Sequence, residues 1–273
     1  MQSRSKLGVC SWSLQASSPA DLCGKVAQTG LSACQLALDP LLEGQWGEIE
    51  TINTLHAAGV EILSGMIGFK GEDYSTLETI KHTGGVRLDA HWEYNRNHAK
   101  HAAAMAQRLG LKLVTFHAGF IPHEACRERT LMIERLREVC DRFDDRGVRV
   151  GFETGQESAH TLLDALNELK RPQVGVNFDP ANMILYAMGD PIAALRELSP
   201  RVVQVHIKDA LKTTTPGQWG SEVASGTGQV DWKAFFGVLS ERGLSVNRLI
   251  EREAGESRVA DIRTAAALVG RLG

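Results

Sequence analysis

Each of four apolar runs in the second half of the chain closes on a side chain that could bind a metal ion. The closing residues are Glu153, Asp179, His206 and Glu251. Three carboxylates converging beside one imidazole would repel one another and raise one another's pKa unless a cation lay between them. Mixed oxygen and nitrogen ligands suit Mn²⁺, Mg²⁺, Zn²⁺ or Co²⁺, and no thiolate forces a zinc assignment. We therefore predict that the site binds one divalent metal ion, with Mn²⁺ preferred over the other three. The ion would keep coordination positions free for two substrate oxygens.

A single acid or histidine in such a position has ordinary explanations. An acidic residue after an apolar strand is often a helix cap or a surface charge, and a lone histidine there is more often a structural group. Four such residues on successive runs, with 26, 27 and 45 positions between neighbours, are hard to obtain in that way. The pattern therefore favours one shared site.

An alternation of short β-prone runs with segments of helical spacing must position these residues. Eight runs are predicted as strands, several of them nearly continuous in apolar residues, as in strands buried on both faces. They are Leu7–Ser13, Ala33–Leu38, Val60–Ile67, Leu113–His117, Val148–Glu153, Val174–Asp179, Val202–Ile207 and Arg248–Glu251. Eight βα units in 273 residues match the size of a (β/α)₈ TIM barrel, whose active sites form at the carboxyl ends of the strands.

Local signals mark the ends of the intervening helices. Ser18-Pro19 and Asp190-Pro191 each place a capping oxygen before a first-turn proline. Helices are predicted to end, just before the next strand, at Gly30, Gly59, Gly110, Gly147 and Gly243. An open doubly wound sheet is the competing architecture, but no G-x-G-x-x-G follows the first run. We predict a single barrel domain over residues 1–273.

Two connections are longer than the regular alternation of strands and helices requires. Residues 68–95 form either a lid over the barrel mouth or an ordinary insertion with a short helix at Tyr74–Lys81, and the sequence favours neither. Residues 210–230 are rich in polar residues and glycine, and they are also predicted to lie at the mouth.

Composition narrows the classes of partner and location. The net charge of −3 and the pI near 6.3 give no global attraction to nucleic acid or to an anionic membrane, so we expect neither partner. The five cysteines include no C-x-x-C pair and are odd in number, which favours reduced thiols in a cytoplasmic protein. No apolar run predicts a transmembrane helix, and no signal-peptide core precedes the first strand. The expected partner is a small molecule.

Five short motifs carry a family resemblance. They are Phe152-Glu153, Asn177-Phe-Asp-Pro-Ala-Asn182, His206-Ile-Lys-Asp209, Gly226-Thr-Gly-Gln-Val-Asp231 and Ile250-Glu-Arg-Glu253. In order and spacing they resemble the xylose isomerase-like barrels, especially the sugar and sugar-phosphate isomerases and epimerases related to tagatose 3-epimerase and hydroxypyruvate isomerase. The motifs cover the carboxyl-terminal half of the chain, whereas the amino-terminal half matches only in its alternation of strand and helix segments.

The resemblance implies that Glu153, Asp179, His206 and Glu251 are the metal ligands. It also implies that Glu153 and Glu251 move protons, one removing a proton from the substrate carbon and the other returning it. General chemistry agrees, because a polarised carbonyl eases enediolate formation and two carboxylates on opposite faces permit inversion. Relatives are often dimers or tetramers, so the resemblance is compatible with a homo-oligomer.

Five further residues are predicted to contact the substrate: Trp12, His117, Glu157, Asn182 and Lys208. Trp12 and His117 end the first and fourth runs, and Asn182 stands where relatives often carry a histidine that touches the ligand. Lys208 lies two positions after His206 and so points the same way from a strand. Structural roles compete with these, such as a loop or helix start at Glu157.

The leading interpretation is a metal-dependent aldose–ketose isomerase or ketose 3-epimerase of a small sugar, phosphorylated or not. A lyase or dehydratase acting on a keto-sugar or keto-glycoside would use the same enolisation. An endonuclease IV-like abasic-site nuclease shares the barrel and a histidine at His117, but it needs three zinc ions. This chain has Asn182 where one histidine is expected and lacks a D-x-H pair after the seventh strand. A non-catalytic sugar-binding protein would have little need for both glutamates.

Overall fold

Eight parallel strands close into a barrel in the computed structural model of this protein, which describes residues 5–273. The barrel strands are β1 (Leu7–Cys10), β2 (Ala33–Ala37), β3 (Glu61–Met66), β4 (Leu113–Phe116), β5 (Arg149–Glu153), β6 (Gly175–Phe178), β7 (Val202–Ile207) and β10 (Asn247–Ile250). A separate antiparallel hairpin consists of β8 (Asp209–Leu211) and β9 (Ser221–Val223). Around the barrel the order is β1-β10-β7-β6-β5-β4-β3-β2, so β1 pairs with β10 and closes the ring. The predicted (β/α)₈ barrel is confirmed.

Eleven α-helices lie among the described residues, and several of them begin or end at local sequence signals. They are α1 (Pro19–Thr29), α2 (Asp39–Leu42), α3 (Glu48–Ala57), α4 (Leu77–Thr83), α5 (Asp89–Arg108), α6 (Arg127–Asp144), α7 (Ala159–Leu169), α8 (Pro180–Leu185), α9 (Pro191–Leu198), α10 (Trp232–Glu241) and α11 (Arg258–Leu272). Ser18 caps α1 by accepting a hydrogen bond from the Asp21 backbone N–H, and Asp190 caps α9 through the Ala193 N–H. The five glycines predicted to end helices all have left-handed backbone. No helix in this part of the chain is long and apolar enough to cross a membrane.

Apolar strand residues fill the layer between the barrel and its helices. Every residue of β6 is buried, as expected for a strand covered on both faces. Phe116 on β4 and Phe152 on β5 are fully buried and pack with 5.3 Å between their ring centroids. Burial of each such side chain contributes about 1.5–3 kcal/mol. This layer holds the strand ends, and therefore the residues that follow them, in fixed relative positions.

Three local features differ from the sequence predictions. The first strand ends at Cys10 because Ser11–Leu14 form a 3₁₀ turn, so Trp12 lies on that turn and not on a strand. The short helix in residues 68–95 is α4, which starts at Leu77 because the Thr76 hydroxyl caps it by accepting from the Thr79 N–H. Residues 210–230 include strand β9 of a hairpin that the sequence did not predict.

Candidate metal centre and active-site cavity

The four predicted metal ligands converge at the carboxyl end of the barrel. Glu153 is the last residue of β5 and His206 lies within β7, whereas Asp179 and Glu251 directly follow β6 and β10. All four side chains are buried. One ligand atom from each residue can be chosen so that all four atoms lie within 4.8 Å of one another. Four strand ends therefore supply one compact set of three carboxylates and an imidazole.

The spacing of the ligand atoms suits a divalent cation. His206 Nδ1 lies 3.4 Å from Glu153 Oε1, 3.5 Å from Asp179 Oδ2 and 3.2 Å from Glu251 Oε2. Ions with bonds of about 2.0–2.2 Å hold adjacent ligands roughly 3 Å apart and opposite ligands roughly 4.4 Å apart. Asp179 Oδ2, His206 Nδ1 and Glu251 Oε2 are buried without a hydrogen-bond partner among the described residues. Because such atoms are costly to leave unpaired, the donor set fits a metal ion.

The carboxylates and the imidazole of the cluster shift one another's pKa. Burial by itself would raise the pKa of the Glu153 carboxyl, but the His206 and His117 imidazoles outweigh burial and hold that pKa below its ordinary value. Burial would lower the pKa of His206, yet the surrounding acidic groups, including Glu153 and Glu251, raise it well above its ordinary value. The same concentration of negative charge attracts a cation, which binds the neutral imidazole and displaces its proton.

The amide of Gln35 on β2 fixes the orientation of the His206 ring. Gln35 Nε2 donates to Thr115 Oγ1 at 2.7 Å and to the Gly65 carbonyl at 3.3 Å, which orients Gln35 Oε1 as the acceptor facing His206. His206 Nε2 lies 2.9 Å from Gln35 Oε1 and 3.0 Å from Asn177 Nδ2, and a neutral ring with its proton on Nε2 donates that proton to Gln35 Oε1. His206 Nδ1 is then left with its lone pair directed at the carboxylates, as a metal ligand requires.

Gln35 belongs to a buried polar layer inside the barrel, directly below the ligands. Its other members include Ser64, Thr115, Asn177 and Gln204, all fully buried. Gln204 Nε2 donates to Gln35 Oε1 at 3.1 Å and to Asn177 Oδ1 at 3.2 Å, and Asn177 Nδ2 donates to Glu153 Oε2 at 3.2 Å. This polar layer joins strands on opposite sides of the ring and supports two of the ligands.

Glu251 is held from two sides. Trp12 Nε1 donates to Glu251 Oε1 at 2.7 Å, which leaves Oε2 directed at the ligand cluster. Lys208 Nζ lies 3.0 Å from Glu251 Oε2 and 2.6 Å from Glu253 Oε2. Burial would lower the pKa of Lys208, but these two carboxylates hold it well above its ordinary value. Lys208 therefore balances the charge of the carboxylates.

The other predicted contact residues differ in their positions. A cavity of about 580 Å³ lies above the ligands, and its lining includes Trp12, His117, Asn182 and Lys208. Asn182 Nδ2 donates to Glu153 Oε1 at 3.0 Å, and His117 Nε2 lies 3.6 Å from the same atom. Glu157 is outside this lining. Burial raises the pKa of the Glu157 carboxyl to about 8, and its Oε1 has no hydrogen-bond partner among the described residues.

The two long connections supply cavity residues that the sequence did not single out. Residues 68–95 contribute Glu72 and Tyr74, and residues 210–230 contribute Trp219 and Glu222. Glu72 is anchored because its carboxylate accepts hydrogen bonds from the Phe69 and Gly85 backbone N–H groups. Aromatic and acidic residues inside otherwise irregular connections were the available signal, but they are common in loops and identify no site unaided.

A signal for the polar layer was present in the strand period. Asn177 and Gln204 stand two positions before Asp179 and His206, so each shares the inward face of its strand with a ligand. A polar amide inside a strand that is otherwise apolar indicates a buried hydrogen-bonding partner. The partner itself, Gln35 on β2, could not be identified in this way because it lies across the barrel.

Comparison with known proteins places these features in context. A family model described as a xylose isomerase-like TIM barrel matches residues 25–270. A curated relative, the uncharacterized protein YihM of Escherichia coli (strain K12), is 30% identical over 158 residues, which are 55% of this chain and 47% of YihM. The matched region thus spans about half the length of that relative.

Solved structures share the architecture. A xylose isomerase domain protein from Planctomyces limnophilus is 30% identical, with a TM-score of 0.85 and 91% of each chain covered. The probable 3-DHS dehydratase AsbF from Bacillus anthracis is 18% identical, with a TM-score of 0.74 and coverage of 97% and 98%. D-allulose 3-epimerase from Methylomonas sp. is 15% identical, with a TM-score of 0.74 and coverage of 99% and 98%. The last two resemblances show a common fold.

Proposed function

Because this chain belongs to the xylose isomerase-like TIM barrel family, we propose that it is a divalent-metal-dependent isomerase or epimerase of a small sugar. The observation that carries the proposal is a set of three buried ligand atoms on Asp179, His206 and Glu251 that lack a hydrogen-bond partner among the described residues and lie close to the Glu153 carboxylate. The Glu251 atom of this set forms an ion pair with Lys208. The three carboxylates and one imidazole suit Mn²⁺ first, and Zn²⁺, Mg²⁺ or Co²⁺ as alternatives.

Two glutamates give the cluster its proposed chemistry. The bound ion would polarise a substrate carbonyl and so acidify the neighbouring C–H bond. Glu153 and Glu251 follow strands that are separated in the barrel by β6 and β7, so they approach the centre from different directions. One carboxylate removes the proton from the carbon beside the carbonyl, and the other delivers a proton to the resulting enediolate.

The surroundings hold both glutamates in place for this transfer. Asn182 and Asn177 each donate to one oxygen of Glu153, and Trp12 fixes one oxygen of Glu251. Lys208 supplies a buried positive charge beside Glu251 that favours its ionised form. Fixed donors of this kind stabilise developing negative charge without reorganising during the reaction.

A dehydratase is the alternative within the same chemistry. The structure of probable 3-DHS dehydratase AsbF has the same fold, and elimination also begins with removal of a proton beside a carbonyl. His117, which lines the cavity 3.6 Å from Glu153, could then protonate a departing hydroxyl. Product analysis separates the two reactions, since an epimerase or isomerase conserves the mass of its substrate and a dehydratase releases water.

A nuclease and a non-catalytic sugar-binding protein have less support. Among the described residues, each potential cluster of metal ligands includes His206 and Glu251, so a three-metal centre has no further ligand group. A binding protein would not require two glutamates beside a metal ion. We keep a sugar as the small-molecule partner, and a homo-oligomer and a cytoplasmic location as expectations.

Metal content and proton exchange test the proposal. Elemental analysis after loading with Mn²⁺ should give about one ion per chain, and His206→Ala should lose it. The loaded protein should then catalyse deuterium uptake from D₂O beside the carbonyl of a sugar. Three ions per chain would support the nuclease, and a chain that takes up no ion under any loading condition would contradict the proposal.

A further inference from the structure

The loops that bind phosphate in many TIM barrels hold carboxylates of the chain itself in this protein. Phosphate sites of this fold usually form in the loops after the seventh and eighth strands, which here follow β7 and β10. Asp209, the first residue of β8 and two positions after the end of β7, accepts hydrogen bonds from the backbone N–H groups of Gly226 at 2.8 Å, Gly228 at 3.1 Å and Val230 at 3.1 Å. The Asp209 carboxylate thus occupies the position that an anion would take.

The fit around Asp209 leaves no room for a second anion. Its carboxylate also accepts from the Ala210 N–H and from Trp232 Nε1, so five donors surround it. A Cβ added to Gly228 would lie 2.1 Å from Asp209 Oδ1, which shows how closely the loop packs on the carboxylate. The backbone groups that a phosphate would need are therefore already used.

The loop after β10 is arranged in the same way. The backbone N–H of Glu253 donates to the Glu222 carboxylate at 2.9 Å and 3.2 Å. Glu222 is itself paired with Arg252, 2.7 Å away. A carboxylate from β9 in the connection after β7 thus accepts from the backbone N–H of the loop after β10, which a phosphate-binding barrel would leave free.

The positive groups that line the cavity are also matched internally. The Lys208 ammonium has three N–H bonds, and three oxygens surround it: Glu253 Oε2 at 2.6 Å, Glu251 Oε2 at 3.0 Å and Asn182 Oδ1 at 3.4 Å. His117 faces the Glu153 carboxylate. No arginine is among the described residues that line the cavity. Five acidic residues do line it: Asp39, Glu72, Glu222, Glu251 and Glu253.

The remaining lining is apolar and aromatic. Tyr186 and Trp219 meet edge to face with 4.8 Å between ring centroids, and Tyr74 packs against His117 in the same manner. Ala37, Met66, Ile67 and Leu185 complete this part of the wall. Such surfaces stack against the C–H face of a sugar ring and offer nothing to a phosphate.

From these observations, and on the basis of the proposed function, we infer that the substrate is an uncharged sugar without phosphate or carboxylate groups. Its carbonyl end binds beside Glu153 and Glu251, and its C–H face lies against the aromatic wall formed by Tyr186 and Trp219. A phosphate or carboxylate on the part of the sugar that lies away from the metal-binding end would face the cavity carboxylates, and among the described residues no free side-chain cation lines the cavity to pair with it. Like charges brought together in this way repel, so phosphorylation should weaken binding by at least about 100-fold.

Binding to the Mn²⁺-loaded protein, followed by water-proton relaxation, tests this inference. The probes are D-fructose, D-psicose, D-tagatose and D-ribulose, each beside its phosphate ester, with D-fructuronate as the carboxylate analogue. At least one free ketose should bind, and its charged counterparts should bind at least about 100-fold more weakly. Raising the salt concentration should narrow this difference, because screening weakens the repulsion.

Two outcomes would overturn the inference: equal or tighter binding of the charged sugars, and no binding of any free ketose. Either leaves the proposed function to be decided by metal content and deuterium uptake, which do not depend on this comparison. Trp219→Leu should weaken binding of the free ketose by about three- to tenfold. Tyr94→Leu, which removes an exposed ring outside the cavity, should leave binding unchanged; equal effects of the two variants would contradict the aromatic wall.

Discussion

The two halves of the barrel contribute to the centre in different ways. The four proposed ligands lie at or next to the carboxyl ends of strands β5, β6, β7 and β10, one residue from each strand. The earlier half supplies groups that hold those residues, namely Gln35 on β2 against His206 and Trp12 on the 3₁₀ turn after β1 against Glu251. The later half also supplies supports of its own, Asn177 and Asn182 against Glu153 and Lys208 against Glu251. The difference is that these contacts from the earlier half orient the cluster without adding a member to it.

Loss of a proposed ligand should therefore abolish metal binding or proton transfer, whereas loss of a supporting residue should only weaken it. A ligand acts directly on the ion or on the reacting carbon. A supporting residue acts through the orientation of a ligand, and supporting residues of metal ligands typically contribute 10- to 100-fold. The following changes test this distinction, from the largest expected effect to the smallest.

Glu251→Gln should lower turnover of the loaded enzyme by about 10²- to 10⁴-fold, because the amide cannot accept or return a proton. Metal affinity should fall less, because the amide oxygen can still face the cluster, although the amide NH₂ then replaces the oxygen that accepts from Trp12 Nε1. Steady-state kinetics and calorimetric titration with Mn²⁺ measure the two quantities separately. A variant with full activity would rule out the two-glutamate mechanism.

Asp179→Asn should lower the affinity for Mn²⁺ by more than about 100-fold, beyond the range of a supporting residue. The free energy of unfolding without metal should change little. Asp179 caps α8 through the Ala181 and Asn182 backbone N–H groups, and asparagine is an equally good cap. Calorimetry measures the affinity for Mn²⁺, and chemical denaturation measures the free energy of unfolding. Unchanged metal affinity would exclude Asp179 from the ligand set.

Gln35→Met should weaken Mn²⁺ binding by about 10- to 100-fold, because His206 loses the acceptor that fixes its tautomer. Gln35→Glu keeps an oxygen in that position and should restore most of the affinity. Titration calorimetry at one pH compares the two variants with the original chain. If both variants bind equally weakly, Gln35 acts through the packing of the polar layer and not through the His206 hydrogen bond.

Glu157 belongs to the ligand half but has an oxygen without a partner, so it should respond to pH. Burial raises its pKa to about 8, so the folded chain holds a proton that the unfolded chain releases near pH 4.5. Rising pH across this window therefore favours unfolding. Relative to its value at low pH, the stability of Glu157→Gln compared with the original chain should therefore increase by about 4 kcal/mol by pH 8.

Denaturant unfolding at pH 5, 6, 7 and 8 measures this difference. Glu124→Gln changes an exposed glutamate and provides the control, whose stability difference should not vary with pH. A pH-independent difference for Glu157→Gln would show that its carboxyl titrates normally in the folded protein.

The sequence was most informative about features that follow from local patterns of apolar residues and from the residues at strand ends. The barrel follows from eight apolar runs with helical segments between them, and the strand boundaries agree within a few residues. The ligand set is visible because the carboxyl ends of parallel strands meet at one end of a barrel, so four strand-end residues must converge. Trp12 was assigned to a strand and lies on a 3₁₀ turn, because the local hydrogen bonding of that turn leaves no periodic pattern.

The sequence by itself thus determined the fold and a four-residue cluster suited to a metal ion, since both follow from local periodicity and from strand ends. Closure of the barrel decided the rest. Gln35 reaches His206 across 171 positions of the chain, and Trp12 reaches Glu251 across 239. Pairing of β1 with β10 creates the second of these contacts, and packing of the mouth loops directs Asp209 and Glu222 at backbone N–H groups of these loops. Contacts over such separations depend on three-dimensional packing, which no local pattern encodes.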